Sequence, residues 1–263
     1  MRKTNIITQC RTRAASRRSK IIGNHYPEFN ISGYTSVDGT VEFYSRINSL
    51  LNNSMVVLDF GAGRGSWKED YSCPYRKSLH DLQGKVKKIV GCDIDEAIYD
   101  NPTVDEKVVI KIGEKLPFDD NSFDLIISDF TFEHIENENE IAQEFTRILK
   151  AGGWICARTP NKYNYVYILI QLIRNSWHEQ ILKYVQPLRN EIDVFPTMYR
   201  MNSARKIDIL FPDDKYENYT YYFNSEPAYF FNNSFLFFIM KIIDSFLPFY
   251  LKNNLFIFLK KEI

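Results

Sequence analysis

Val56-Val57-Leu58-Asp59-Phe60-Gly61-Ala62-Gly63-Arg64-Gly65 is the stretch from which the rest of the chain is best read. An apolar run closed by an acid has the pattern of a buried strand. Glycines at 61, 63 and 65 then make a turn almost without side chains, so that a ligand can touch the backbone itself. A dinucleotide site asks for G-x-G-x-x-G opening a helix, which seats a pyrophosphate on the helix N-terminus. Here the third glycine comes one place early, at Gly65, and Ser66 stands where a dinucleotide site needs glycine.

Outward from this turn, strand-like runs alternate with helix-like ones. Strands are expected near 55–60, 86–92, 107–112, 123–129 and 154–159, and two more near 218–224 and 255–260. The clearest helix is 137–150, with Ile141, Phe145, Ile148 and Leu149 on one face and Gly152-Gly153 as its stop signal. Asp38 is placed to cap a helix carrying Val41, Tyr44, Ile47 and Leu51. This alternation predicts an α/β fold, a doubly wound and mostly parallel seven-stranded sheet whose ligands bind beyond the carboxyl ends of the strands. The aromatic stretch 160–200 breaks the rhythm and reads as a helical insertion after the fifth strand. Residues 1–30 read as a basic, flexible arm and 31–263 as one domain.

The second strand ends Val90-Gly91-Cys92-Asp93-Ile94-Asp95. A carboxylate at this tip can accept two hydrogen bonds from a ribose diol, and Asp93 has that position, with Asp95 expected to cap the short helix that follows. Asp59 through Gly65, Asp93, Leu116-Pro117-Phe118 with Phe123-Asp124, Glu133-His134 and Leu149 to Gly153 together resemble the class I S-adenosylmethionine-dependent methyltransferases. Gly33–Tyr44, Arg158–Tyr163 and segments to about residue 211 resemble a bacterial subgroup of that family. The resemblance implies a Rossmann-like methyltransferase fold and S-adenosylmethionine as methyl donor, with S-adenosylhomocysteine as product. It also implies a cofactor site at Asp59, Gly61, Ala62, Gly63, Gly65, Asp93, Ile94, Gly113, Glu114, Asp129 and Phe130. Many relatives carry an adenine-binding acid where this chain has Ile112, so the adenine edge falls to Gly113 and Glu114.

Methyl transfer needs no metal and no protein nucleophile, but an oxygen acceptor needs a base. His134 and Glu133, just past the fourth strand, are the candidate catalytic residues. Arg158, Tyr163 and Arg200, with His178 and Tyr199, lie in or beside the aromatic stretch and are candidates for binding an anionic or sugar-like acceptor. The implied function is methyl transfer to a small-molecule or glycan-linked acceptor. A protein that binds S-adenosylmethionine or its product without transfer is one alternative, and a nicotinamide-dependent oxidoreductase another.

Lys+Arg and Asp+Glu both number 33, and beyond the N-terminal arm no basic stripe points to nucleic acid. Before Glu28 the chain carries Arg2, Lys3, Arg11, Arg13, Arg17, Arg18 and Lys20 and no acid, which allows contact with a membrane surface or another anion. The cysteines are Cys10, Cys73, Cys92 and Cys156, none in a CxxC pair; reduced thiols and a cytoplasmic setting follow. Cys73 and His80 lack further ligands nearby, so no metal site is expected. The tail from Ser234 to Ile263 is the most apolar part, interrupted by Lys241, Asp244, Pro248 and Lys252. It falls short of the roughly 18–20 residues of a membrane span and reads as a buried helix and a strand, with membrane-surface contact as the alternative.

Overall fold

The computed structural model of the chain describes residues 15–70, 72–172 and 196–262. Its centre is β1 (Val56–Phe60), which pairs in parallel with β2 (Lys88–Asp93) on one side and β4 (Phe123–Asp129) on the other. β3 (Glu106–Val109) continues the parallel sheet beyond β2, and β5 (Leu149–Pro160) continues it beyond β4. β8 (Asn254–Lys261) runs antiparallel to β5 and carries β6 (Tyr216–Asn218) and β7 (Tyr221–Phe223). The order β3-β2-β1-β4-β5-β8-β6 reverses direction at β1 and β4, and the crevice at that switch point is where such sheets bind ligands. Among the described residues there are eight strands instead of the seven expected. The single strand expected near 218–224 is split because the Asn218 side chain takes the Thr220 N–H, leaving two short strands that both pair with β8.

Alternation along β1 sends Val57 and Leu58 into opposite layers. On one face, α2 (Gly39–Leu50) packs Phe43 and Ile47 against Val57, Leu125 and Phe256. Asp38 caps this helix as its sequence predicts, accepting from the N–H groups of Thr40 and Val41. The short helix α3 (Pro74–His80) lies beside it. On the other face, α4 (Glu138–Ile148) buries Ile141, Phe145 and Ile148 against Leu58, Ile126 and Ile155.

The expected stop of this helix at Gly152-Gly153 is corrected. The helix ends at Ile148, Leu149 is already extended, and the two glycines lie inside β5 where its pairing with β4 shifts register. A Cβ at Gly153 would stand 3.0 Å from the Asp124 carbonyl, so the glycine serves close strand approach.

Part of the arm expected over 1–30 is helical. Residues 15–25 form α1, whose Ile21 and Ile22 are buried with Phe230, Phe237 and Met240; residues 1–14 lie outside the described residues. After β5 the chain forms α5 (Tyr165–Leu172), and the rest of the predicted insertion, from 173 to 195 and including His178, also lies outside them. The tail forms α7 (Ser234–Phe246) and β8, following α6 (Ala204–Leu210) and the edge strands. β8 is buried, but α7 is not the buried helix expected: Phe235 is 73% and Phe246 82% exposed.

Candidate functional site

The turn after β1 is held from three directions. Gly61 and Ala62 donate to the Cys92 carbonyl, at 2.8 and 3.2 Å. Gly63 donates to Asp93 Oδ2 at 2.8 Å, and the buried Asn101 amide donates to the carbonyls of Ala62 and Gly63, both at 3.0 Å. Gly61, Gly63 and Gly65 have φ of +78°, +52° and +68°, the left-handed region that other residues enter only at a cost. A Cβ on Gly61 or Gly65 would strike Thr131 or Asn101, whereas one on Gly63 would meet nothing within 4 Å. The backbone at Gly63 is therefore bare toward the cavity that the turn lines. That cavity measures about 720 Å³, a size suited to a nucleoside-bearing ligand plus a second molecule.

Asp59, Asp93 and Asp129, at the carboxyl ends of β1, β2 and β4, all line it. Burial, then repulsion from Asp129 and Asp93, pushes the Asp59 carboxyl up to about 7. A folded-state pKa above the unfolded value of about 4 means that the folded protein holds the extra proton between the two. This contribution to stability is complete at low pH and is lost as pH rises through 7. Asp59→Asn is therefore expected to flatten the decline in thermal stability between pH 5 and pH 8 in ligand-free protein. A melting series on both proteins checks this, and parallel curves would remove Asp59 from the titration.

The Asp129 charge is matched in place. Arg158 forks onto it, Nε to Oδ1 and Nη2 to Oδ2, each at 2.7 Å, and Arg158 Nη1 donates to Thr40 Oγ1 at 3.1 Å. The Tyr44 hydroxyl donates to Asp129 Oδ2 at 3.3 Å. Phe130 follows in the left-handed region at φ +55°; its N–H bonds the Arg158 carbonyl and its ring lies 4.6 Å from the guanidinium carbon. These contacts stabilise a backbone conformation that is otherwise unfavourable for phenylalanine.

Next to this pair, His80 is stacked between Tyr44 and Trp67, with ring centroids 3.9 and 4.0 Å away. Burial, with the nearby Arg158 charge, drives its pKa down to about 3, so the ring is neutral at physiological pH. His134 lies on the short turn Phe132–His134 after β4, and its Nδ1 is 2.7 Å from the Pro196 carbonyl. A carbonyl only accepts, so Nδ1 carries the hydrogen and Nε2 is the acceptor of the neutral ring.

Residues 58–157 match the family described as Methyltransferase domain. Malonyl-(acyl-carrier protein) O-methyltransferase 1 of Coxiella burnetii is 29% identical over 114 residues, which cover 43% of this chain and 36% of that protein. Sarcosine/dimethylglycine N-methyltransferase of Halorhodospira halochloris is 29% identical over 116 residues, covering 43% of this chain and 40% of that protein. Residues 58–157 form a class I S-adenosylmethionine-dependent methyltransferase domain. The chain spans well under half the length of these curated relatives. A solved chain from the complex of the Haloferax volcanii Trm112 methyltransferase activator with a methyltransferase has the same fold. It superposes with a TM-score of 0.51 at 14% identity, over 84% of this chain and 89% of that one.

Within the methyltransferase domain, Asp59, Gly61, Ala62, Gly63, Gly65, Asp93, Ile94, Gly113, Asp129 and Phe130 all line the cavity, as do Arg158 and His134. Other candidates do not. Glu114 is exposed and paired with Lys111 at 3.5 Å, while Ile112, at the place of the usual acid, does line it. Glu133 is buried away from it and accepts from Thr159 Oγ1 at 3.0 Å. Tyr163 is exposed under Lys162, and Arg200 is outside the lining, donating to the Glu136 carbonyl at 2.8 Å. Tyr199 is also not among the lining residues, and its N–H reaches the Glu133 carbonyl at 3.2 Å. Asn101 and the His80 stack went unrecognised in the sequence, since neither belongs to a local pattern. Among the described residues no group of His, Cys, Asp or Glu is arranged to hold a metal.

Proposed function

We propose that the chain transfers the methyl group of S-adenosylmethionine to a small-molecule or glycan-linked acceptor by direct in-line displacement. The observation that carries this reading is the bare backbone of Gly63, tied to Asp93 and facing a cavity large enough for donor and acceptor together. Bound there, S-adenosylmethionine supplies a methyl group made electrophilic by a positively charged sulfur. Asp93 would take the ribose hydroxyls, and the exposed side chains of Ile94 and Ile112 would cover the purine faces. Thr40, Tyr44, Trp67, His80 and Arg158 line the same cavity, and we assign them to the acceptor side. Because Arg158 is already matched by Asp129, a neutral acceptor fits this wall better than an anionic one. His134 Nε2 would receive the proton of a hydroxyl acceptor. The buried free thiols of Cys73, Cys92 and Cys156 are compatible with a cytoplasmic setting.

Calorimetry with S-adenosylmethionine, S-adenosylhomocysteine and NAD tests the donor. Binding of the first two and not the third is expected, and tight NAD binding alone overturns the reading. Methyl-tritiated donor incubated with fractionated small-molecule extract then finds the acceptor. With a hydroxyl acceptor, His134→Gln is expected to slow label transfer by roughly 10²–10⁴-fold at unchanged donor affinity. Undiminished transfer removes His134 as the base.

A further inference from the structure

Helix α7 is amphipathic in the wrong sense for water. Its two charged residues face the protein: Lys241 donates to the His25 carbonyl at 2.6 Å and sits 3.9 Å from the centre of the Tyr26 ring, while Asp244 accepts from the Tyr165 hydroxyl at 3.2 Å. Phe237 and Met240 are buried against α1. The remaining face presents Phe235, Phe238, Ile242 and Phe246 to the outside, and the turn after it adds Phe249 and Tyr250, at 67% and 50% exposure. Scattered apolar residues at a surface need no explanation, but a continuous row on one helix and its following turn does.

The surroundings say what covers it. Helix α1 packs on the inner side of α7 through Ile21 and Ile22 and brings the His25 ring to 6.1 Å from Phe238; it exposes Arg17 and Lys20, and no acid precedes Glu28 in the sequence. Lys252 follows the Phe249–Leu251 turn directly in sequence. An aromatic and aliphatic face with exposed basic residues on the neighbouring helix is complementary to an anionic lipid surface, where rings enter the acyl boundary and cations meet the headgroups. The helix, at 13 residues, is about 20 Å long, so it can lie in the interface but not cross it. No helix among the described residues is long and apolar enough to cross a membrane.

The face also runs onto the functional edge of the sheet. Asn161, just past β5, donates to the carbonyls of Tyr250 and Lys252, and Asn164 donates to that of Leu251. Since β8 begins opposite Pro160, this turn lies beyond the carboxyl end of β5, on the edge where the cavity is built.

We propose that the exposed face of α7 and the Phe249–Leu251 turn, with Arg17 and Lys20 on α1, docks the protein on an anionic bilayer surface. Docking puts the carboxyl edge of the sheet, with its cavity, on the membrane side of the molecule.

Co-sedimentation of the full chain with vesicles tests this. Vesicles of one part phosphatidylglycerol to two parts phosphatidylcholine are expected to pellet it at least roughly tenfold better than phosphatidylcholine alone, with the advantage lost at high salt. Phe235→Glu/Phe246→Glu is expected to lower binding to the anionic vesicles at least roughly tenfold, with S-adenosylmethionine affinity and circular dichroism unchanged. Should that variant fail to fold, Arg17→Glu/Lys20→Glu, on exposed positions of another element, is expected to abolish the preference for anionic vesicles. Wild-type protein that stays in the supernatant overturns the proposal, as do folded variants that pellet as well as wild type. A wild-type dimer in analytical ultracentrifugation that Phe235→Glu/Phe246→Glu makes monomeric also overturns it and gives the face to a second copy. Because donor binding is measured separately, loss of docking and failure of the methyl-donor reading are distinguishable.

Discussion

Arg158→Met is expected to destabilise the folded protein by about 3 kcal/mol, the lower end of the ~3–5 kcal/mol found when one member of a buried ion pair is removed. Both side chains are largely withdrawn from water, at 5% exposure for Arg158 and 16% for Asp129. The substitution leaves Asp129 charged, without its bidentate partner and in the same cavity as Asp59 and Asp93. It also removes the cation beside the Phe130 ring, which helps hold that residue at positive φ. Some water reaches Asp129 through the cavity, hence the lower end of the range. Arg158→Lys is not expected to restore the loss, since an ammonium cannot reproduce the two parallel bonds. The double variant Arg158→Met/Asp129→Leu is expected to recover a substantial part, because the orphaned charge is gone. Urea unfolding of the three variants checks the series; a loss under about 1 kcal/mol for Arg158→Met would place the pair among the weak surface bridges. The same pairing bears on the proposed acceptor. In sequence, Arg158 is a candidate for binding an anionic or sugar-like acceptor, and in the fold its charge is matched by Asp129.

That difference marks the boundary of what the sequence makes legible. The Asp59–Gly65 turn, the Asp93 tip and the Asp95 cap are readable because a strand, a turn and a helix start are local, and each residue's task follows from its neighbours. The Arg158–Asp129 pair depends instead on the register of β4 against β5, which sets Asp129 opposite Arg158 across 29 residues of sequence. Asn101 braces the glycine turn from 38 and 39 residues away, and His80 finds its two stacking partners on other elements. Helix α7 shows the same limit differently. Periodicity reveals an apolar stripe but not which side of the helix meets the protein. Here the answer is set by partners for Lys241 and Asp244 that come from α1 and α5. The aromatic stretch after β5 has no sharp motif, and of its candidates among the described residues only Arg158, in the strand itself, lines the cavity.

Asp93→Ala is expected to weaken binding of S-adenosylmethionine by roughly 30-fold, about 2 kcal/mol, the size of losing hydrogen bonds to a charged acceptor. Two functions of the carboxylate are removed together. Oδ2 takes the Gly63 N–H at 2.8 Å and Oδ1 takes the Asp95 N–H at 3.0 Å, so Asp93 shapes the turn as well as lining the cavity. Each oxygen keeps a second lone pair with which to accept a ribose hydroxyl. Asn101 still braces Ala62 and Gly63 in the variant, so the turn is expected to survive with its position loosened. Titrating both S-adenosylmethionine and S-adenosylhomocysteine separates the causes. Both carry the ribose, but only the first carries the sulfonium charge. Equal losses for the two mean that Asp93 acts on the ribose. A clearly larger loss for S-adenosylmethionine means that its charge interacts with the Asp93 carboxylate. Unchanged affinity for both would refute the assignment of Asp93 to the ligand altogether. Asp93→Asn refines the result, since its single carbonyl oxygen can serve Gly63 or a hydroxyl but carries no charge. It is expected to fall between alanine and wild type when the ribose bonds dominate, and to match alanine for S-adenosylmethionine when the charge does.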